Sequence, residues 1–521
     1  MTQSSRPRFE RPAKPRCLST MTETLLPEST DPPSVLAGRA SERLARPPVV
    51  AGPFQEAGRA AMAYTAVAEF FPASVSRLDA GVGRPDAAIF TVSYLASGVE
   101  SRPVCFAVNG GPGASSAFLN MGVMGPRRIT MNDDGSLPTP PYVLEDNDAS
   151  WLDQADLVFI DPPETGYSDA SSGAACAAVL SVDGDIDLLV DVIRAWLTRH
   201  GRWGATLYLA GEGYGGLRCA AACERLLDAG LALAGLILIS PLLDCRTLAF
   251  EAGNDLPHAL FLPAMAGVAR HHGRISSDVA RSAAEARAKA SDFVYEEYAG
   301  ALVAGDRLSN EQRQRIGTRL SEITGLNLTV ILENDLRVTD DVFLAELLRD
   351  SGAVVGKMDA RCVAIGAARR PGRMEFDPSI DTFYAPFRAA ARLHLAEDIG
   401  VMVDDGAYHV FSTGVEAQWK WLRQGVTGTQ YASASSELAR ALRRNANLRI
   451  FVASGLFDLT TPFSATNWSL AHLDISRHAR KERICHRFYE AGHMFYTKRT
   501  ERLKLKADFE KWLLRRELDP G

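Results

Sequence analysis

Two glycine-rich turns and a late histidine have the residue types and spacing that indicate chemistry in this sequence. The first turn, NGGPG at residues 109–113, directly follows the apolar run VCFAV. Glycines in such a turn expose backbone N–H groups and let a ligand come close, which is what a loop that stabilises an oxyanion requires. Taken alone, the cluster is equally typical of an ordinary tight turn.

The second turn, GEGYGG at residues 211–216, lies between the strand-like TLYLA and a helical run that begins near Leu217. Its flanking glycines and its strand–turn–helix context are those of the G-x-S-x-G elbow that holds a nucleophilic serine, but the central residue here is Gly213. A nucleotide-binding loop is the poorer alternative. The spacing matches neither phosphate-binding motif, and no carboxylate lies about 20 residues past Gly215 to bind a ribose.

An acid and a histidine follow two strand-like runs near the C-terminus. Asp458 comes after LRIFV, and His493 comes after ICHRFY. Singly, each is a weak signal, because a lone Asp often caps a turn and a lone His often makes a structural hydrogen bond. Their order, after the elbow, is the hydrolase order of nucleophile, acid and base. The sequence therefore predicts that both side chains meet at the elbow.

The elements that would position these residues alternate between strand and helix. The predicted strands are 88–95, 104–108, 156–160, 206–209, 236–239, 448–452 and 484–489. Between them, apolar residues recur at helical spacing over 186–197, and residues 501–514 are typical of a closing helix. Such alternation implies βαβ crossovers, hence an α/β protein with a mostly parallel central sheet flanked by helices.

The middle of the chain contains few strand patterns. It has helical stretches at 311–323, with Ser309 as N-cap, and at 342–348, after Thr339. We therefore expect a large, mainly helical cap inserted between sheet strands. The predicted division is a flexible tail at 1–50, a first core part at 51–245, the cap at 246–440 and a second core part at 441–521.

Composition narrows the class of protein. The 521 residues carry a formal net charge of only −6, which gives no electrostatic case for nucleic acid or an anionic membrane. No run approaches the roughly 18 apolar residues of a membrane span. The eight cysteines include no CxxC pair and no Cys/His cluster, so neither a metal nor another cofactor is indicated.

The Arg-, Ser- and Pro-rich start lacks an apolar signal region, and the expected location is the cytoplasm. The oligomeric state is left open.

Together these segments resemble the serine carboxypeptidase family. The stretch NGGPGASSAFLNMGVMGPRR is similar to its oxyanion and substrate loop, WLDQADLVFIDPPETGYSDA to its W-x-x-x-A segment, and LYLAGEGYGG to its G-E-S-Y-G-G elbow. IFVASGLFDLTTPF looks like its acid loop and YEAGHMFY like its histidine loop, while GNDLPHALFLPAMA is similar to bacterial members. The likeness spans roughly residues 85–515 and implies an α/β-hydrolase fold.

The resemblance implies a role for each matching residue. Gly213 stands at the nucleophile's position, Asp458 would be the orienting acid, and His493 the general base. The backbone N–H groups of Gly111 and Tyr214 would form the oxyanion hole. The family's activity would be hydrolysis of peptides, or of peptide-like amides and esters, without a cofactor.

Carboxypeptidase specificity would come from Asn109, Gly110 and Glu212, which the resemblance implies bind the C-terminal carboxylate of a peptide. Glu212 would then have to be protonated, which favours acidic pH. Two departures put exopeptidase specificity in doubt: Ala107 replaces an expected aromatic residue, and a second glutamate expected near Val123 is absent.

Gly213 leaves several interpretations open, because a residue without a hydroxyl cannot form an acyl-enzyme. The chain could be a serine-to-glycine variant of an active hydrolase or a natural pseudoenzyme that binds a peptide or protein partner. His493 could also activate a water for slow direct hydrolysis. An acyltransferase of the same fold would use the same three positions once water is kept out.

Overall fold

A computed structural model describes residues 33–56, 62–75, 85–98, 101–367, 374, 376–401, 408–423 and 431–515, with only the backbone at 33–37. Within this part of the chain there are fourteen strands. They are β1 (Val49–Gln55), β2 (Ala63–Ala73), β3 (Ala87–Ala96), β4 (Val104–Val108), β5 (Arg127–Ile129), β6 (Leu144–Asp146), β7 (Asp156–Ile160), β8 (Asp169–Ala170), β9 (Leu207–Glu212), β10 (Leu233–Ile239), β11 (Ala353–Val355), β12 (Val363–Ile365), β13 (Arg449–Gly455) and β14 (Ile484–Tyr489).

Ten of these strands form one sheet in the order β1-β2-β3-β7-β4-β9-β10-β13-β14, with β8 paired to β3. The six strands from β7 to β14 are parallel, and β1, β2, β3 and β8 add antiparallel pairs at one side. The carboxyl ends of parallel strands lie at one edge of a sheet. The loops that follow β4, β9, β13 and β14 therefore open on the same side.

The helices that accompany these strands cover the sheet and fill the middle of the chain. They are α1 (Pro33–Ala45), α2 (Ala117–Leu119), α3 (Gly173–Val179), α4 (Val182–Arg199), α5 (Tyr214–Asp228), α6 (Leu256–His271), α7 (Ala283–Phe293), α8 (Ala299–Ala304), α9 (Asn310–Thr324), α10 (Leu328–Glu333), α11 (Asp340–Glu346), α12 (Pro378–Arg392), α13 (Thr413–Gln418), α14 (Ser435–Arg444), α15 (Phe463–Ala471), α16 (Arg477–Arg483) and α17 (Arg499–Leu513).

Both faces of the sheet are buried under large apolar side chains. On one face, Phe106 of β4 meets Trp196 of α4 edge to face, with ring centroids 5.3 Å apart. On the other, Trp151 stacks on Phe509 of α17 at 3.8 Å. Burial on both faces explains why the central strands are continuous apolar runs rather than alternating ones. The predicted α/β-hydrolase fold is confirmed.

The segment between β10 and β13 is mainly helical. Its described residues form α6 to α14 and one two-stranded hairpin of β11 and β12. The side chain of Ser309 caps α9 in a capping box, and that of Thr339 caps α11. We use the term cap region for residues 246–440, whose standing as a separate domain stays a prediction.

The predicted flexible tail at 1–50 is wrong from Pro33 onward, while residues 1–32 lie outside the described residues. Residues 33–45 form α1, and β1 begins at Val49. Arg43 of α1 donates to the Asp169 carboxylate at 2.9 Å in a buried ion pair. Composition alone missed this helix, because its anchor lies 126 residues away in sequence.

The described residues contain neither a membrane-spanning helix nor a cluster of metal ligands. No helix in these ranges is long and apolar enough to cross a membrane. Likewise, no group of three or more His, Cys, Asp or Glu residues in the same ranges is arranged to hold a metal ion.

Candidate active site

The turn between β9 and α5 holds Gly213 in a conformation that other residues adopt only under strain. Gly213 has φ 57° and ψ −124°. Its N–H donates to the carbonyl of Ile239 at 3.0 Å, and its own carbonyl accepts from the N–H of Leu242 at 2.9 Å. Residues with a side chain are strained at such angles, and that strain is concentrated at functional turns. The turn therefore has the strand–turn–helix shape expected of a nucleophile elbow.

The glycine loop after β4 lies directly against this elbow. A Cβ built on Gly110 would lie 2.5 Å from the backbone nitrogen of Tyr214 and 2.5 Å from the carbonyl oxygen of Glu212. No side chain fits at that distance, so position 110 requires glycine. Gly111 and Tyr214 line the same cavity as Gly213. Their use as oxyanion donors stays a prediction.

His493 and Asp458 form a buried hydrogen-bonded pair. Nδ1 of His493 lies 2.8 Å from Oδ2 of Asp458, whose side chain is fully buried. The other carboxylate oxygen accepts the backbone N–H groups of Thr460 and Thr461 at 2.7 and 3.0 Å. The Thr461 hydroxyl lies 2.8 Å from Oδ2. These contacts fix the carboxylate, and through it the orientation of the imidazole ring.

The other ring nitrogen of His493 faces the elbow. A Cβ built on Gly213 would lie 3.1 Å from Nε2, close enough that the ring would have to move by a few tenths of an ångström. A hydroxyl on that Cβ would be within hydrogen-bond reach of Nε2. The structure thus brings the positions 213, 458 and 493 together in the order that a nucleophile, a base and an orienting acid require.

The charge on His493 is favoured by its neighbours. Burial lowers the pKa of His493, but the Asp458 carboxylate at Nδ1 and the nearby Glu212 outweigh burial, so the pKa lies above its ordinary value. An imidazole in this setting is suited to accept a proton and to hold it as the imidazolium.

Glu212 is the centre of a second buried cluster beside the elbow. The Tyr496 hydroxyl donates to Oε1 at 2.8 Å, and the side-chain amide of Asn109 donates to Oε2. The Asn109 amide is itself oriented by the N–H of Leu119, which donates to its oxygen at 3.0 Å. Burial raises the pKa of Glu212 to about 7, although His493 and the two hydrogen bonds lower it. Near neutral pH the group can therefore carry a proton to donate to a ligand.

The side-chain hydroxyl groups of Thr461 and Tyr496 belong to this site and were not predicted from the sequence. Thr461 contacts Asp458, and its hydroxyl also lies 2.8 Å from the carbonyl oxygen of Ser240. Tyr496 holds Glu212, as described above. Each lies three residues after a predicted catalytic position, so nearness in sequence to Asp458 and His493 was the available signal.

Arg218 was also missed, and no sequence pattern marks it. Its Nε donates to Asp185 at 2.6 Å, and Nη1 donates to the carbonyl of Asn109. The Tyr214 hydroxyl donates to the same Asp185 carboxylate at 3.2 Å. This buried network ties the glycine loop, the start of α5 and α4 together, and thereby fixes the loop against the elbow.

Seven of the eight predicted site residues surround one cavity of about 100 Å³. The eighth, Asp458, lies behind the ring of His493. The opposite wall comes from the cap region, and its side chains include Lys357, Phe383, Phe411 and Glu416. The predicted residues are therefore neighbours, while the role of each stays a prediction.

The fold is shared with a solved carboxypeptidase structure. KEX1(delta)p, a prohormone-processing carboxypeptidase from Saccharomyces cerevisiae, is similar over 88% of this chain and 92% of that one, with a TM-score of 0.54 and 14% identity. Identity that low shows the fold alone. Together with the parallel sheet and the elbow, it shows that the chain has an α/β-hydrolase fold.

Sequence comparison relates part of the chain to a known family. A family model described as serine carboxypeptidase matches residues 86–260, which include the glycine loop and the elbow but neither Asp458 nor His493. The pheromone-processing carboxypeptidase KEX1 of Blastomyces gilchristii is 35% identical over 111 residues, 21% of this chain and 16% of that protein. Its namesake from Puccinia graminis f. sp. tritici is 39% identical over 72 residues, 13% and 10% of the two chains. Over residues 86–260 this chain is similar to the serine carboxypeptidase family.

The match to these curated relatives is local. The chain covers 16% and 10% of their lengths, so their names do not establish an activity for it. The predicted resemblance to the serine carboxypeptidase family is confirmed over residues 86–260, whereas the substrate and the activity stay predictions.

Proposed function

We propose that this chain is a serine carboxypeptidase-like hydrolase framework that binds peptides, or peptide-like amides and esters, with Gly213 in the nucleophile's place. The observation that carries the proposal is the placement of His493. Its Nε2 lies 3.1 Å from where a Cβ at 213 would be, and its Nδ1 lies 2.8 Å from Asp458. A general base stands in this way between nucleophile and orienting acid in serine hydrolases. As written, the chain binds its ligand but forms no acyl-enzyme.

With serine at position 213, the reaction would follow the acyl-transfer scheme. The hydroxyl oxygen would attack the ligand's carbonyl carbon while Nε2 of His493 takes the hydroxyl proton. The N–H groups of Gly111 and Tyr214 would stabilise the oxyanion. The leaving amine would depart with the proton from His493, and water would then release the acid by the reverse sequence.

In this proposal, the C-terminal carboxylate of a peptide is bound by Asn109, Gly110 and Glu212. It is supported by the pKa of Glu212 of about 7, because the protonated acid can donate to a carboxylate. The side chains at the two departures, Ala107 and Val123, are fully buried, and neither lines the cavity. The proposed carboxylate site therefore consists of Asn109, Gly110 and Glu212.

The experiment that tests peptide binding is calorimetry on the unaltered chain with N-acetylated dipeptides whose C-terminus is free or amidated. We expect the free-carboxylate peptide to bind more tightly, and Asn109→Ala to remove at least about tenfold of its affinity, since it deletes a hydrogen bond to a charged group. As a control, Asn334→Ala removes an amide from a helix end far along the cap region. If neither of the two peptides binds, the proposal is wrong.

A natural pseudoenzyme with the same peptide site is favoured by one observation. A Cβ at position 213 would make a tight contact of 3.1 Å with Nε2 of His493, so glycine is the residue that fits there without a shift of the ring. This alternative also predicts peptide binding, but it predicts that Gly213→Ser gains no reactivity. An acyltransferase differs in transferring the acyl group to an added amine or alcohol faster than to water.

A further inference from the structure

A short segment of the cap region lies between the loop that holds Asp458 and the loop that holds His493. We call residues 357–360, which follow β11, the bridging segment. Backbone hydrogen bonds join this segment to both loops. They run from the N–H of Leu459 to the carbonyl of Lys357 (3.0 Å), from the N–H of His493 to the carbonyl of Met358 (2.5 Å), and from the N–H of Ala360 to the carbonyl of Phe457 (2.9 Å). The cap region therefore contacts the backbone on either side of the acid and at the histidine itself.

The bridging segment fits tightly against the histidine loop. A Cβ built on Gly492 would lie 2.4 Å from the carbonyl oxygen of Met358 and 2.5 Å from Cα of Asp359. No side chain fits at these distances, so this contact requires glycine at position 492. The glycine next to His493 therefore lets the backbone of the cap region come directly against the histidine loop.

The first residues of α12 hold the bridging segment in place. Oδ1 of Asp377, the N-cap of this helix, accepts the N–H of Lys357 at 3.1 Å. The hydroxyl oxygen of Ser379 accepts the N–H of Met358 at 3.0 Å, and the hydroxyl donates to the same Oδ1 of Asp377 at 2.6 Å. Both side chains are buried. Asp377 and Ser379 thus reach His493 through the backbone of the bridging segment.

The contact between Asp458 and His493 depends on the spacing of two loops. The two residues lie 35 positions apart in sequence, and Nδ1 of His493 lies 2.8 Å from Oδ2 of Asp458. The bridging segment has a hydrogen bond to each loop, so a displacement of the segment would change this spacing. A displacement of about 1 Å at reacting groups can cost about a hundredfold in rate. The side chains that fix the segment therefore matter for the geometry of the pair.

We propose that Asp377 is a positioning residue, which acts through the bridging segment to keep Asp458 and His493 at hydrogen-bond distance. In this role the cap region is part of the framework that orients the general base, and not only a cover over the ligand. The inference rests on the proposed function, because that function makes the pair a base and its orienting acid. The positioning itself can be measured on the two side chains, whether or not a peptide binds.

The test is the titration of His493, followed by NMR of the isotope-labelled histidine rings, with the signal assigned by its loss in His493→Ala. Burial lowers the pKa of His493, while the carboxylates of Asp458 and Glu212 raise it. Asp377→Ala removes the acceptor that holds the bridging segment, so the Asp458 contact weakens and the titration midpoint should fall by about one pH unit. Asp377→Asn keeps an oxygen acceptor at the same place, and its midpoint should equal that of the unaltered chain.

Asn327→Ala is the matched control, because Asn327 is the N-cap of α10 in the cap region. Its side chain accepts the N–H of the residue two positions later at 2.9 Å, as that of Asp377 does. This variant should leave the midpoint unchanged. Ser379→Ala is a milder second variant, because it removes the acceptor for Met358 but keeps Asp377. Its midpoint should fall by less than that of Asp377→Ala, and it keeps the test decisive if Asp377→Ala does not fold.

An unchanged midpoint in the folded Asp377→Ala and Ser379→Ala proteins would overturn the inference. An equal fall in Asp377→Asn would also overturn it, because the charge of Asp377 would then act rather than its hydrogen bonds. Partial unfolding alone would weaken the signal of His493 without moving its midpoint.

A second measurement is the rate of fluorophosphonate labelling in the Gly213→Ser background. Asp377→Ala should lower this rate on the order of tenfold, and Asp377→Asn should not. An unchanged rate in Asp377→Ala would contradict the inference. If the midpoints of His493 move as expected but Gly213→Ser stays unlabelled, the proposed function is wrong, while the positioning of His493 by Asp377 is supported.

Discussion

Glu212 and His493 are two titratable side chains beside the same elbow, and their environments shift them in the same direction for different reasons. Burial dominates at Glu212 and raises its pKa to about 7. At His493 burial acts the other way, and the Asp458 carboxylate overcomes it. Each group can therefore hold a proton near neutral pH. For His493 that proton is a charge, whereas for Glu212 it is a donor available to a ligand.

Because the proton on Glu212 is available to a ligand, we expect the binding of a peptide carboxylate to depend on pH. A free peptide carboxylate needs the protonated form of Glu212, so its affinity should be full below about pH 7 and fall by up to about tenfold per pH unit above that. An amidated peptide does not need this proton. The quantity to measure is the ratio of the two dissociation constants from pH 5.5 to 9, since shared effects of His493 cancel in it.

Glu212→Gln is the control for that ratio, because glutamine stays neutral and can donate at every pH. Its ratio of dissociation constants should be flat from pH 5.5 to 9. A flat ratio in the unaltered chain would show that Glu212 does not bind the carboxylate.

The elements around the site show which parts of the fold local sequence determines. The predicted bounds of β4, β7 and β14 match the observed strands, because continuous apolar runs are bounded there by turn residues. The helix N-caps Ser309 and Thr339 could likewise be predicted, because an N-cap side chain accepts a hydrogen bond from a backbone N–H only three residues later in the sequence. Antiparallel β1 and β2 were missed, since their pairing partners, and the anchor of α1, are distant in sequence.

The residues of the site likewise divide into those that the sequence could predict and those that it could not. Asp458 and His493 could be predicted because strand ends and chain order mark them. Arg218 could not, because its partner Asn109 is 109 residues away and only the folded sheet brings the two together. Glu416 also escaped prediction, because a carboxylate on a short helix of the cap region resembles any exposed polar residue until the cavity is seen.

The elbow between β9 and α5 carries a prediction about stability. Gly213→Ser places a side chain at φ 57° and ψ −124°, which should lower the free energy of unfolding by about 1–3 kcal/mol. Urea denaturation measures the change. Gly204→Ser is the control, because a Cβ there meets nothing within 4 Å and its φ is not positive, so it should stay within about 0.5 kcal/mol. Equal stability of the two variants would contradict a strained elbow.

At the scale of the whole molecule, the site is a consequence of sheet topology. The glycine loop, the elbow, the acid and the histidine follow β4, β9, β13 and β14, which are all parallel members of one sheet. Residues separated by up to 384 positions in the 521-residue chain therefore meet at one edge. The cap region closes the cavity from the other side and contributes Lys357 and Glu416 to its lining.

The most direct measurement of this account is the intact mass of the Gly213→Ser protein after treatment with a fluorophosphonate. The account predicts one phosphonyl adduct per chain, at residue 213 of the digested protein. It predicts none on the unaltered chain, and none on the Gly213→Ser, His493→Ala double variant, which lacks the base. A folded Gly213→Ser protein that stays unlabelled, or that is labelled equally without His493, would contradict the arrangement of these three positions as a hydrolase site.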